Sequence, residues 1–193
     1  FKKPKYLLPK IVSQVVLLVE AHRTGMGKMV KELDCVKNYF LKDGVQFIID
    51  DLEIKEIENL LQTREFYRRE REIQEANLMN KMGLFSPAFG LVGTLIGLVF
   101  MLFGMQSNDI LSNTTSTLGN AMALALITTF YGTVLANLIF IPFSEKIKAR
   151  NNISSLESAL IIEGIKMIYE KKHPIIVREH LNSFLPPRDR KRI

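Results

Sequence analysis

The sequence predicts an all-α integral membrane protein: a transmembrane helical hairpin with a cytoplasmic helical domain built from segments on both sides of it. From Met82 to Ser144 the only formal charge is Asp109, and the stretches before and after it run 27 and 35 residues without a charge. About 20 apolar residues suffice to cross a bilayer core as a helix, so each half supplies one crossing. All 26 Lys and Arg residues lie outside this stretch. Outside it, apolar residues recur at helical spacing and nothing alternates as a strand would.

The predicted layout is a cytoplasmic helical region over 1–81, a transmembrane helix over 82–105, a periplasmic loop over 106–117, a second transmembrane helix over 118–143, and cytoplasmic C-terminal helices over 144–193. Orientation follows from the flanks. Arg64, Arg68, Arg69, Arg71 and Lys81 precede the hairpin and Lys146, Lys148 and Arg150 follow it, whereas the loop has no basic residue. Short basic flanks stay cytoplasmic, which puts both ends inside and the loop outside.

In chain order, the opening FKKPK has neither an initiator Met nor a secretory n-region, so residues upstream are expected, with Lys2, Lys3 and Lys5 as a cytoplasmic flank. From Pro9 to His22 the apolar residues Ile11, Val12, Val15, Val16, Leu18 and Val19 mark an amphipathic helix, too short to span. His22 to Gly44 continues as a helical hairpin broken around Gly25 and Gly27, with Leu33, Val36, Phe40 and Leu41 facing inward. A second break is expected at Gly44. Asp50 and Glu53 have the spacing of a capping box opening a long helix whose first buried stripe is Ile54, Ile57, Leu60 and Leu61. Charge dominates from Arg64 to Glu75, the pattern of a solvated helix laced by Glu/Arg pairs that runs on into the membrane. After the hairpin, Ser154 and Glu157 form a second capping-box pattern for a helix ending near Lys172; Pro174 opens a last short helix and Pro186-Pro187 ends it. The pieces before and after the hairpin should pack together, since each buries only one stripe alone.

Within the crossings, Gly90, Gly93 and Gly97 offer a face on which helix backbones can approach closely in lipid. Thr94 lies 12 residues from one cytoplasmic boundary and Thr129 14 from the other, depths of roughly 18 and 21 Å at helical rise. Thr94, Thr128 and Thr129 therefore share a level near mid-membrane. Each hydroxyl can bond its own helix one turn back, or the three can form a collar lining an ion path. No carboxylate lies at that depth, so a relay acid must come from another chain. The glycine face and the hydroxyls that need shelter together point to a ring-forming oligomer.

Composition narrows the classes. Outside the hairpin the net charge is +7, which suits a cytoplasmic face near anionic lipid. Nucleic acid is set aside: no basic run is interleaved with aromatics, and no helix-turn-helix, zinc or P-loop pattern appears. The lone Cys35 cannot form a disulfide within the chain and, beside Leu33 and Val36, is expected to be packed. His22, His173 and His180 are scattered without metal-ligand spacing. Neither a catalytic triad nor a nucleotide loop nor an acid pair argues for an enzyme.

The strings SPAFGLVGTLIGLVFML (86–102) and ALALITTFYGTVLANLIFIP (123–142), followed by EGIKMIYEKKHPIIVREHLNSFLPPRDR (163–190), resemble the MotA/PomA flagellar stator subunits of the MotA/TolQ/ExbB superfamily. The resemblance implies that the hairpin is helices 3 and 4 of a four-helix subunit. It implies a pentameric ring of copies around a MotB-type single-span partner, which carries a peptidoglycan-binding domain and the ion-binding aspartate. It further implies a cytoplasmic push on the rotor protein FliG, no cofactor, and H+ or Na+ as the transported ion. Arg23, Gly25 and Glu32 are the nearest match to the family's rotor-contact Arg, Gly and Glu, with His22 and Val30 in the alternative register; a solvated face is the plain alternative. Pro87 and Pro142 match two prolines tied to torque. Sodium-using members resemble this sequence in carrying Thr at the three hydroxyl positions, which favours Na+. Within the superfamily the rival is an ExbB/TolQ-type energiser of outer-membrane transport, and outside it a non-conducting membrane scaffold.

Overall fold

The computed structural model describes residues 7–106, 114–187 and 190, and among them every regular element is helical. In order these are α1 (Leu7–Thr24), α2 (Met26–Leu33), α3 (Tyr39–Ile49), α4 (Ile54–Gln106), α5 (Thr114–Val134), a π-helical turn (Leu135–Phe140), α6 (Ile141–Tyr169) and α7 (Pro174–Asn182). Asp109, most of the predicted loop 106–117 and the Lys2, Lys3 and Lys5 cluster lie outside the described residues. The chain divides into two compact units. One takes in the chain up to Glu70 and from Arg150 on, the other Arg71–Ala149.

The first unit is organised around α1. Its stripe of Ile11, Val12, Val15, Val16, Leu18 and Val19 is buried, in one cluster with Met29 and Leu33 of α2, Leu41, Val45 and Ile48 of α3, and Ile57 and Leu61 of α4. Leu160, Ile161, Ile165 and Ile168 of α6 and Val177 and Leu181 of α7 complete it. Segments from both sides of the hairpin thus share one core, because an amphipathic helix buries its stripe only against another. Polar bonds fasten the cluster at its rim: the buried His22 places Nδ1 2.9 Å from the Ile168 carbonyl, and Lys166 pairs with Glu58 at 3.5 Å.

Several boundaries differ from the sequence reading, each for a local reason. Gly25 is the break between α1 and α2, with φ +138°, a conformation that side chains disfavour; Gly27 lies inside α2. Gly44 is no break at all. It is buried inside α3, where an added Cβ would collide with Ile165 Cδ1, so its bare backbone is what admits Ile165. The entry to α3 is made by Asn38, whose Oδ1 accepts from the Phe40 and Leu41 amides at 2.9 and 3.1 Å. Asp50 closes α3 instead of opening α4. The chain then turns through Asp51, with φ +60°, and the Glu53 carbonyl takes the first α4 amides, so no capping box forms. Ser154 and Glu157 sit in the interior of α6, which runs on from the π-helical turn; the box pattern started nothing because no breaker precedes it. Leu60 is exposed. Cys35 is exposed too, since the turn after α2 points Leu33 and Val36 inward and leaves Asp34 and Cys35 between them facing out. α7 ends at Asn182, ahead of the two prolines.

In the second unit the described part of the hairpin is long enough and apolar enough to cross a membrane twice. The best windows of its two helices have mean hydropathy 2.2 and 1.9, and only 11% and 17% of those windows is buried. Phe85, Phe89, Leu95, Leu102, Leu126 and Leu138 are among the side chains turned outward. Such a belt is stable against lipid tails and costly against water.

Candidate functional site

The hairpin is seamed by residues that lack bulk. A Cβ on Gly93 would stand 2.6 Å from the Thr128 side chain, and one on Gly97 2.8 Å from Ala125 Cβ. On the facing helix the seam continues through Ala121, Ala125, Thr128, Gly132 and Ala136, a small residue every three or four positions. This corrects the argument for a ring drawn from the glycines. Their face is taken up inside the chain, between α4 and α5, and is not left for a second copy. The small-residue run on α5 was visible in the sequence but went unread beside the more conspicuous GxxxG of α4.

The three threonines differ in how they are held. Thr94 donates to the Leu91 carbonyl at 2.6 Å and Thr128 to the Ala125 carbonyl at 2.8 Å, each within its own helix. Thr129 reaches across the seam to the Gly90 carbonyl at 3.5 Å, near the limit of a hydrogen bond. Two residues that sequence reasoning passed over extend this line. Thr133 donates to the Thr129 carbonyl at 2.9 Å and Asn137 to the Thr133 carbonyl at 3.0 Å. Thr129, Thr133 and Asn137 recur every fourth residue, so they form one exposed polar stripe on a span that carries no charge. Polar groups in a span mark a buried interface or a wet path.

Pro87 lies inside α4 and Pro142 inside α6. Just before Pro142 the helix widens into the π-helical turn, and the Ile141 amide bonds the Ala136 carbonyl five residues back. Proline has no amide to donate, and local widening is one way a membrane helix accommodates it. Beyond the proline, Ser144 is fully buried and donates to the Ala76 carbonyl of α4 at 2.8 Å.

Arg23, in the last turn of α1, and Glu32, in the last turn of α2, are both exposed. Glu32 borders a groove of about 290 Å³ between α1 and α2, lined also by Leu17, Glu20, Ala21, Thr24, Lys28 and Lys31. The structure brings both signs of charge onto one small surface there, with Gly25 as its pivot.

Elsewhere in the first unit, charge gathers at Arg68, which binds Glu65 through Nε and Nη2 at 2.8 and 2.6 Å and reaches Ser155 at 3.3 Å. Burial pulls the Glu65 carboxyl up, but hydrogen bonds from Arg68, Ser158 and Ser155 and the Arg68 charge outweigh it and hold it below the usual value. Glu157 goes the other way. Burial raises it, and the 2.6 Å hydrogen bond from Asn38 and the Arg68 charge only partly oppose that.

Residues 32–159 match the model of the MotA/TolQ/ExbB proton channel family. The chain is 32% identical over 194 aligned positions to Motility protein A of Borreliella burgdorferi, covering all of this chain and 72% of that protein. It is 29% identical to the chemotaxis protein PomA of Vibrio alginolyticus, covering 91% of this chain and 66% of that one. Among solved structures, C. jejuni MotAB superposes with a TM-score of 0.82 at 24% identity, over 93% of this chain and 68% of that chain. The Bacillus subtilis flagellar MotAB stator complex gives 0.80 at 23%, over 94% and 69%. With the hairpin and the helical core already established, these matches place the chain in the MotA/TolQ/ExbB proton channel family, among its MotA and PomA flagellar stator subunits.

Proposed function

We propose that the protein is the A subunit of a flagellar stator in the bacterial inner membrane, with both ends of this segment cytoplasmic. It forms a ring around a MotB-type partner, conducts H+ or Na+ with that partner, and turns ion flow into torque on FliG. One observation carries the reading: the exposed polar stripe of Thr129, Thr133 and Asn137 offers hydroxyls and an amide, while the described part of the hairpin holds no carboxylate. An ion relay normally needs an acid, so this stripe suits a path completed by an aspartate on a second chain. Pro87 and Pro142 are the residues assigned to torque, and Arg23 and Glu32 to the rotor contact. Thr94, Thr128 and Thr129 line the ion path, and the three oxygens favour Na+, a hard cation that takes oxygen ligands when it sheds water. No catalysis is assigned, the family being one of proton channels.

The test is complementation. The full-length gene, with its partner gene, is returned to a flagellated strain that lacks its own stator subunits. Restored swimming supports the reading. Restored uptake across the outer membrane without swimming would replace it with transport energising, and neither activity would leave a scaffold.

A further inference from the structure

The residues by which α5 and α6 face α4 do not follow one helical period. Ala121, Ala125, Thr128, Gly132 and Ala136 keep to steps of three and four, as a regular helix requires for one face. Within the turn that follows, Phe140 and Ile141 pack on Gly83 of α4 through side-chain atoms, and the next residue hydrogen-bonded to α4 is Ser144, eight positions after Ala136. A regular helix returns to the same face after seven, where Phe143 stands, and Phe143 is 55% exposed. One residue is in surplus, and it is absorbed in the π-helical turn Leu135–Phe140, where the Ile141 amide bonds five residues back. Without it everything beyond would rotate by about 100° and carry Ser144 off the seam.

We infer that this π-helical turn is a register-adjusting joint: its surplus residue lets the stretch between Ala136 and Ser144 turn while the Gly132 and Ser144 contacts with α4 hold. Two features localise the movement there. Above the joint, Gly132 lies backbone to backbone against Gly90; below it, Ser144 is pinned to Ala76. Between them Pro142 leaves one carbonyl without its helical donor, and the atoms nearest Gly83 of α4 are side-chain atoms of Phe140 and Ile141, which can slide over a bare glycine. A π-helical turn can migrate along a helix by exchanging partners one residue at a time, rotating only the residues it passes. Here those include Asn137, at the end of the polar stripe. The joint thus couples the position of the stripe to the proline below it. Its functional part rests on the stator reading above.

Deleting Leu138, which is 71% exposed, removes the surplus and should leave a regular helix with Ser144 still on Ala76. Deleting Leu126, equally outward at 69% but in regular helix, should throw the phase off. Each deletion is made in the full-length protein with its partner, in a C35S background carrying A76C and S144C, and read by oxidative cross-linking within the chain. The Leu138 deletion is expected to cross-link as efficiently as the undeleted protein and the Leu126 deletion to lose the cross-link. Equal loss in both would overturn the surplus-residue assignment. In swimming cells without the added cysteines, the Leu138 deletion is expected to lower speed by about tenfold or more, because a joint with no residue to spare cannot adjust. Unchanged speed would overturn the joint. If the intact gene fails to restore swimming, the stator reading fails instead, and the cross-links still decide the register.

Discussion

Gly132 lies so close to Gly90 that a Cβ built on it would stand 3.1 Å from the Gly90 Cα and 2.7 Å from the Ser86 carbonyl oxygen. Both obstacles are backbone and cannot swing aside as a flexible side chain can. Gly132→Ala should therefore destabilise the detergent-purified protein by about 1–3 kcal/mol through overpacking. Gly119→Ala, in the same helix with nothing within 4 Å of its Cβ, should be neutral or slightly stabilising, Ala being the better helix former. Thermal melting of the pair reads the difference, and coincident melts would mean the close approach is not real.

The three threonines should not be equivalent. Thr94 and Thr128 hydroxyls are committed at 2.6 and 2.8 Å to their own helices, whereas Thr129 holds a weak 3.5 Å contact and is freest to turn toward an ion. Thr129→Ala is expected to slow swimming by roughly half or more, and Thr94→Ala by less, if the hydroxyl replaces part of an ion's hydration. Swimming speed against sodium at fixed pH, with and without a protonophore, separates the ions. Speed that ignores sodium and collapses with the protonophore would exclude the sodium assignment.

On the α1–α2 pair, Arg23→Glu and Glu32→Lys should each slow swimming without lowering the amount of protein in the membrane, because both side chains are exposed and outside the core. The sharper measurement is rescue by charge reversal on the rotor protein. If no reversal restores either variant, these residues do not make the contact.

Acid and alkali should act on the first unit through different glutamates. Burial raises the Glu157 carboxyl above the ordinary glutamate value of 4.5, so the folded state holds its proton more tightly than the unfolded one. That contribution is largest at low pH and is lost as pH rises from about 4.5 through the folded value. Glu65 is lowered, so its contribution is present above 4.5 and lost as pH falls through its folded value. Glu157→Gln, which keeps an acceptor for Asn38, should flatten the upper part of the melting-temperature profile, and Glu65→Gln the lower part. A Glu157→Gln profile parallel to the wild type would refute the assignment.

The core was legible where period alone decides. Ile11, Val12, Val15, Val16, Leu18, Val19, Leu33, Leu41, Ile57 and Leu61 all went inside as their spacing required, and two uncharged stretches were enough to foresee the hairpin. Local signals failed where tertiary contact overrode them. Gly44 looked like a break, yet it is bare because Ile165 fills the space, and no reading of residues 39 to 49 alone contains Ile165. Asp50 with Glu53 and Ser154 with Glu157 had capping-box spacing without a helix start between them. At the candidate site, residue types and depths could be read, but which hydroxyl bonds its own helix could not, since that turns on how two helices meet. The π-helical turn left no signal beyond Pro142, because a surplus residue shows only when both ends of a helix are matched to one neighbour.

A seam made of backbone and methyl groups has mechanical consequences. Interlocked long side chains give way by hopping between rotamers, but Gly90 against Gly132 and Gly97 against Ala125 have none to hop between. The pair of helices along that seam therefore has little internal compliance: a displacement at one end arrives at the other without being dissipated on the way. Stiffness of this kind leaves the outer belt unencumbered. Phe85, Phe89, Leu95 and Leu126 face away from the seam, so the surface offered to lipid or to a neighbouring helix can be re-cut without softening the rod that carries it.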